Sequence, residues 1–110
     1  MGNTTAAKSL KNKLKGPVVA MTTPFNEDFS LDIEGLKALT DLFIEGGIKN
    51  VIVAGSTGEF YSMTDEERKL VIKTVAERTA GKMTVIGCAA HSGTQLAIDI
   101  AKHCNDVGCD

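Results

Sequence analysis

Residues 51–68 read VIVAGSTGEFYSMTDEER. Val51, Ile52, Val53 and Ala54 are four apolar residues in a row, the pattern of a strand covered on both faces, as in a parallel sheet. The chain must then turn. Gly55-Ser56-Thr57-Gly58 sets two hydroxyls between two residues free to take positive φ, so hydroxyls and backbone amides can converge on one small anion. Thr64 reads as the N-cap of a following helix, with Glu67 three residues on as its capping-box partner. The unit is strand, polar loop, helix. A loop at the carboxyl end of a parallel strand is where α/β proteins, open sheets and barrels alike, hold their ligands. A plainer reading of the same residues is a tight connection whose Ser56 and Thr57 satisfy neighbouring backbone groups.

Outward from this stretch, 110 residues with 43% hydrophobic content and a net charge of -2 are enough for one core and too few for two. No apolar run approaches the ~20 residues of a membrane span. The N-terminus lacks the apolar core of a secretion signal, so the expected location is cytoplasmic. Lys8, Lys11, Lys13 and Lys15 make the first fifteen residues basic. That arm has no aromatic residue for stacking and no arginine for bidentate contacts, which argues against nucleic acid. We read residues 1–15 as a solvated leader, with Leu10 and Leu14 at helical spacing. Cys88, Cys104 and Cys109 have neither disulfide-framework nor zinc spacing and read as buried free thiols. His91 and His103 lack partners at ligand spacing, so no metal site is expected. His91 reads as a solvent-facing loop residue and His103 as a surface residue of a helix.

Residues 16–110 repeat the strand–helix unit three times. Pro17–Thr23 is the first strand, ended by Pro24. Asp32 is the next N-cap, with Leu31 and Leu36 as a hydrophobic staple and Gly46-Gly47 as the stop. In the central unit Leu70, Val71 and Val75 point to the core and Gly81 closes the helix. Met83–Ala89 is the third strand; after it, Ser92 and Thr94 supply helix-start chemistry. Ala97, Ile100, Ala101, Cys104 and Val107 form one helical face that stops at Gly108. Val18, Val51 and Val85 mark corresponding points of the three strands. A fourth strand is due where the sequence reaches Cys109-Asp110. Three right-handed units leave the other strand face bare. The expectation is therefore the N-terminal part of a longer chain, or a chain that needs another copy to cover that face.

Thr22 or Thr23 with Pro24-Phe25, then Gly55-Ser56-Thr57-Gly58-Glu59, then Thr64-x-Glu66-Glu67-Arg68, closely resemble the start of the dihydrodipicolinate synthase and N-acetylneuraminate lyase family. These are Schiff-base-forming class I lyases on the (β/α)8 TIM barrel, and the resemblance runs from about Gly16 to the last residue. It implies an α/β fold of which this chain holds about the first three βα units. By that resemblance Gly55, Ser56, Thr57 and Gly58 would grip the carboxylate of pyruvate or a related 2-keto acid. Ser56 would also join a proton relay between two tyrosines. The nucleophilic lysine and the acid/base tyrosine would lie beyond Asp110. The resemblance further implies no cofactor, a small-molecule partner only, and a homo-oligomer, dimer or tetramer.

None of the ten lysines sits within an apolar strand, as a Schiff-base lysine of lowered pKa would. Lys82, just before the third strand, comes closest. Tyr61 reads as a lip residue that packs locally, and Glu59 as a residue that holds the loop. Departing from the family pattern, Cys88, Ala90 and His91 alter the turn after the third strand; His91 could also meet substrate or a neighbouring subunit. Beside the lyase reading stand two others: an open α/β sheet binding an anion without catalysis, and an inactive assembly piece. Against the former, the loop has no P-loop lysine and no G-x-G-x-x-G, and Thr64 begins its helix six residues past Gly58.

Overall fold

The structure, a computed structural model, describes residues 4–110; the first three residues of the leader lie outside the described residues. In chain order the elements are α1 (Thr4–Lys13), β1 (Val19–Ala20), α2 (Ile33–Glu45), β2 (Asn50–Val53), a 3₁₀ turn (Phe60–Ser62), α3 (Asp65–Thr79), β3 (Thr84–Gly87) and α4 (Thr94–Asp106). The strands form one parallel sheet in the order β1-β2-β3. On its helix side, α3 packs against both α2 and α4. Val51, Val53 and Val85 meet Val71, Ile72 and Val75 of α3, Leu36 of α2 and Ile100 of α4 in one buried cluster.

The register corrects one expectation. Val19, not Val18, pairs with Val51, which pairs with Val85. Side chains alternate along a strand, so that single step moves Val18 to the opposite face. There it is 41% exposed. Ala20, Ile52 and Ile86 are register partners on this second face and remain open to solvent in part or whole. The bare apolar face follows from placing α2, α3 and α4 on one side only.

Local chemistry at the helix ends agrees with the sequence in most places. Asp32 Oδ1 accepts from Gly35 N at 2.8 Å. Thr64 Oγ1 accepts from Glu67 N at 3.1 Å while Glu67 Oε1 accepts from Thr64 N at 2.9 Å, a closed capping box. α2 ends in a Schellman turn, with Ile48 N to Phe43 O and Gly47 N to Ile44 O around a left-handed Gly47. Three details differ. α3 is capped by Ala80 in the left-handed region, with Gly81 also at positive φ behind it. α4 begins at Gly93 with no side-chain cap, so Ser92 and Thr94 do not play that part. Leu70 is 45% exposed and Ala101 is exposed, while Ile72 takes a core position. The helical stripe of α3 therefore runs through Arg68, Val71, Ile72 and Val75.

Across the outer layer, Arg78 of α3 forks onto Asp41 of α2, with Nε and a terminal nitrogen at 2.8 and 2.6 Å from the two carboxylate oxygens. This hydrogen-bonded guanidinium holds the Asp41 carboxyl below its ordinary pKa. A carboxyl depressed in the folded state stabilises it above the unfolded pKa, and the contribution is lost as pH falls through the folded value. The stability difference between the protein and its Asp41→Asn variant should thus be flat above roughly pH 5, clear of the unfolded carboxyl value, and shrink steadily as pH falls below it toward the depressed folded value. Urea midpoints measured across that range would show it; a difference that grew on acidification would contradict the pairing.

Candidate functional site

Three segments meet at the carboxyl ends of the strands. They are Thr22–Pro24 after β1, Ala54–Glu59 after β2, and Cys88–Ser92 after β3. The middle one is held from both sides. Thr23, buried, donates from Oγ1 to the carbonyl of Gly58 at 2.7 Å, and Cys88 N donates to Val53 O at 3.0 Å just ahead of the loop. Within it, Glu59 N bonds Ser56 O at 3.0 Å and Phe60 N bonds Gly55 O at 3.2 Å. Thr57 and Gly58 are thus the central pair of a tight turn.

The glycines act differently from expectation. Neither Gly55 nor Gly58 has positive φ; the left-handed positions are their neighbours Ala54 (φ 54) and Glu59 (φ 60). Two non-glycine residues there store on the order of 1 kcal/mol or more each. Gly58 is required for space instead. A Cβ on it would stand 3.0 Å from Ala54 Cα and 3.1 Å from Met21 O, both backbone atoms. Gly55 is also close, its Cβ position lying 3.3 Å from Ile52 Cγ2.

Ser56 and Thr57 are exposed at the tip of this clamped turn. Among the described residues neither hydroxyl has a hydrogen-bond partner, and neither backbone amide donates a bond. The two bonds that close the turn, Glu59 N to Ser56 O and Phe60 N to Gly55 O, form without the hydroxyls, so Ser56 and Thr57 do not act as local caps. Four donors stand together, unspent, on a strained support.

Beside the loop, the helix-side wall is built around Arg68, which the sequence places at the end of the Thr64–Arg68 motif without assigning it a role. Arg68 is 2% exposed. Its guanidinium lies 4.8 Å from the Phe60 ring centroid and donates to Cys88 O at 2.9 Å, joining the second and third loops. Its Nε is buried without a partner. The signal was its helical spacing to Val71, Ile72 and Val75, which places it on the buried stripe. His91 is not solvent-facing as expected. Its side chain is 19% exposed, its Nε2 lies 3.0 Å from Asp65 Oδ1, and its Nδ1 accepts from Ser92 N. Asp65 serves α3 both as a first-turn acid and as the partner of this histidine. Phe60, Tyr61, Met63, Asp65, Arg68, His91 and Ser92 line a cleft of about 280 Å³. Tyr61 itself is 70% exposed and meets only the edge of Phe60 at this rim. His103 is half-buried, with Nε2 2.9 Å from Lys69 O, and so departs from a purely surface role.

Lys82, Lys49 and Lys15 lie at the opposite, amino end of the sheet, around a cleft that includes Thr84 and Asp110. Lys69 is ion-paired to Asp99 at 2.8 Å, and that hydrogen bond raises its pKa, the reverse of what a nucleophilic amine needs. Among the described residues no three His, Cys, Asp or Glu side chains are grouped to hold a metal, and no helix is long and apolar enough to cross a membrane.

Parallel strands with helices on one side and a clamped polar loop at their carboxyl ends define a segment of a barrel-type α/β protein. Residues 13–110 match the Dihydrodipicolinate synthetase family, and the chain belongs to it. An uncharacterized DapA-like lyase of Rhizobium meliloti is 41% identical over 102 residues, which is 93% of this chain and 34% of the relative. Among solved structures, the pyruvate complex of chloride-inhibited dihydrodipicolinate synthase from Acinetobacter baumannii superposes with a TM-score of 0.84 at 30% identity, over 88% of this chain and 33% of that one. N-acetylneuraminate lyase from Mycoplasma synoviae gives 0.84 at 32% identity, over 90% and 34%. The chain therefore spans about a third of the length of the proteins it matches, and its strand–helix units are the first three of the (β/α)8 barrel.

Because backbone surrounds the Gly58 Cβ position on two sides, Gly58→Ala should lower stability by about 1–3 kcal/mol. Urea unfolding of the two proteins would measure the loss; an unchanged midpoint would show that the turn is not clamped as described.

Proposed function

We propose that Gly55, Ser56, Thr57 and Gly58 form the carboxylate grip of a lyase that holds pyruvate or a related 2-keto acid as an imine with lysine. The observation that supports this is the set of unengaged hydroxyls and amides at Ser56 and Thr57. A carboxylate is flat, offers about four acceptor sites, and takes charge-assisted hydrogen bonds from such donors. Pyruvate is the ligand named for the Acinetobacter relative, which is 30% identical here.

In the proposed reaction a lysine amine adds to the keto carbon and water leaves, giving an imine. Once protonated, the imine draws electrons from the adjacent carbon, so that carbon can lose a proton or break a bond without a metal or organic cofactor. Ser56, next to the reacting carbonyl, relays protons as the resemblance implies. Lys15, Lys49 and Lys82 lie at the amino end of the sheet and Lys69 is ion-paired, so this reading places the nucleophilic lysine on other strands of the barrel. Those strands would also choose between the synthase reaction, neuraminate cleavage and 2-keto-3-deoxy sugar acid chemistry. The working form in this proposal is a cytoplasmic dimer or tetramer.

A non-catalytic anion module is the weaker reading. The 3₁₀ turn Phe60–Ser62 separates Gly58 from the start of α3, so the helix dipole adds little at the loop.

A longer chain carrying this segment, mixed with pyruvate and then borohydride, should gain one reduced adduct on a lysine outside residues 1–110. An adduct at one specific lysine within 1–110 would overturn the placement of the nucleophile. In the same longer chain Thr57→Val should weaken pyruvate binding roughly ten- to hundredfold, because a desolvated carboxylate loses a donor. Unchanged affinity by calorimetry would remove the loop from the site.

A further inference from the structure

The turn that ends α4 brings two thiols together. Cys109 N donates to Cys104 O at 3.0 Å and Gly108 N to Asn105 O at 3.2 Å, with Gly108 at φ 90. This is a Schellman turn, in which the side chains at the first and sixth positions of the turn meet. An apolar pair normally fills those positions; here both are cysteine. The same point in space, where a Cβ on Gly87 would stand, lies 2.5 Å from Cys104 Sγ and 3.3 Å from Cys109 Sγ. Gly87 of β3 therefore leaves the room that the two sulfurs share. Both are free thiols.

The surroundings divide their roles. Cys104 is 8% exposed and Cys109 half-buried, and with Leu10, Leu14 and Ile86 they line a cleft of about 370 Å³ that opens to solvent. The neighbouring Cys109 thiol, helped by the positive charge of Arg68, lowers the pKa of the Cys104 thiol. The Cys104 sulfur and burial together push Cys109 up. Charge is thus favoured on Cys104 and a proton on Cys109, the arrangement of a reacting and a resolving cysteine.

We propose that Cys104 and Cys109 are a peroxide-oxidisable dithiol that closes to a disulfide across the end of α4. The Cys104 thiolate attacks hydrogen peroxide, breaking its O–O bond; Cys104 becomes a sulfenic acid and hydroxide leaves to take up a proton. The Cys109 sulfur then attacks Cys104 Sγ, the S–O bond breaks, and a water departs with the thiol proton. Two thiols and one peroxide give one disulfide and two waters, with two electrons passing from sulfur to oxygen. The residue after the pair is Asp110. Its N–H donates to Val85 O, its carboxylate accepts from Val85 N, and it pairs with Lys13 at 2.8 Å. Closing the disulfide ties α4 to the chain just where it joins the edge of β3.

The test is peroxide treatment of the protein at neutral pH, followed by denaturation, thiol alkylation and mass spectrometry. Alkylation should fall from three sites to one, that one being Cys88, and the tryptic peptide His103–Asp110 should be lighter by two hydrogens. The Cys88→Ser variant should oxidise in the same way. The folded protein should form the bridge about tenfold faster or more than the same chain in urea, where no shared environment lowers the Cys104 pKa. A Cys104 sulfinic acid with Cys109 still alkylated, a bridge that includes Cys88, or equal rates folded and unfolded would each overturn the proposal.

Discussion

The hydrogen bond from Thr23 Oγ1 to the Gly58 carbonyl holds the mouth of this structure in one arrangement. It joins the end of the first strand to the loop after the second, across 35 residues of chain. Its geometry requires that backbone lie directly on backbone, which is why Gly58 has no side chain and why Met21 O can approach it. The strained conformations of Ala54 and Glu59 persist because this contact and the parallel ladder determine them from outside. A turn held so firmly does not need its own hydroxyls, and those of Ser56 and Thr57 stand exposed and unengaged among the described residues.

A second constraint acts on the opposite wall. Burying an arginine is costly unless its donors and its charge are answered. Arg68 is answered in part, by Cys88 O and by the Phe60 ring. In return it fixes the second loop against the third, and its charge reaches the thiol of Cys104. One cation thus links the packing of α3, the carbonyl end of β3 and the acidity of a cysteine on α4. The His91–Asp65 pair supports the same corner, tying the turn after β3 to the first turn of α3.

Much of this was legible in local sequence. The capping box at Thr64 and Glu67, the Asp32 cap, the Gly46-Gly47 stop and the alternation of apolar strands with amphipathic helices each depend on residues within a few positions of one another. Such signals survive without knowledge of the rest of the chain. The loop Gly55–Gly58 was legible for the same reason, as two small residues around two hydroxyls after an apolar run.

Other features depended on partners far away in sequence. Which valine of β1 faces the helices was set by the ladder with β2, and Val19 took the place assigned to Val18. Why Gly58 is glycine was set by Met21 and Ala54, not by its own φ. That His91 turns inward depended on Asp65, and that Cys104 and Cys109 share one space depended on the bare backbone of Gly87. Sequence by itself therefore determined the kinds of element, their ends and the place of the polar loop, because short-range hydrogen bonding and periodicity decide these. Tertiary structure alone decided register, the left-handed positions and the side-chain pairings around the loop, because each of these is a close contact between segments that meet only when the sheet forms.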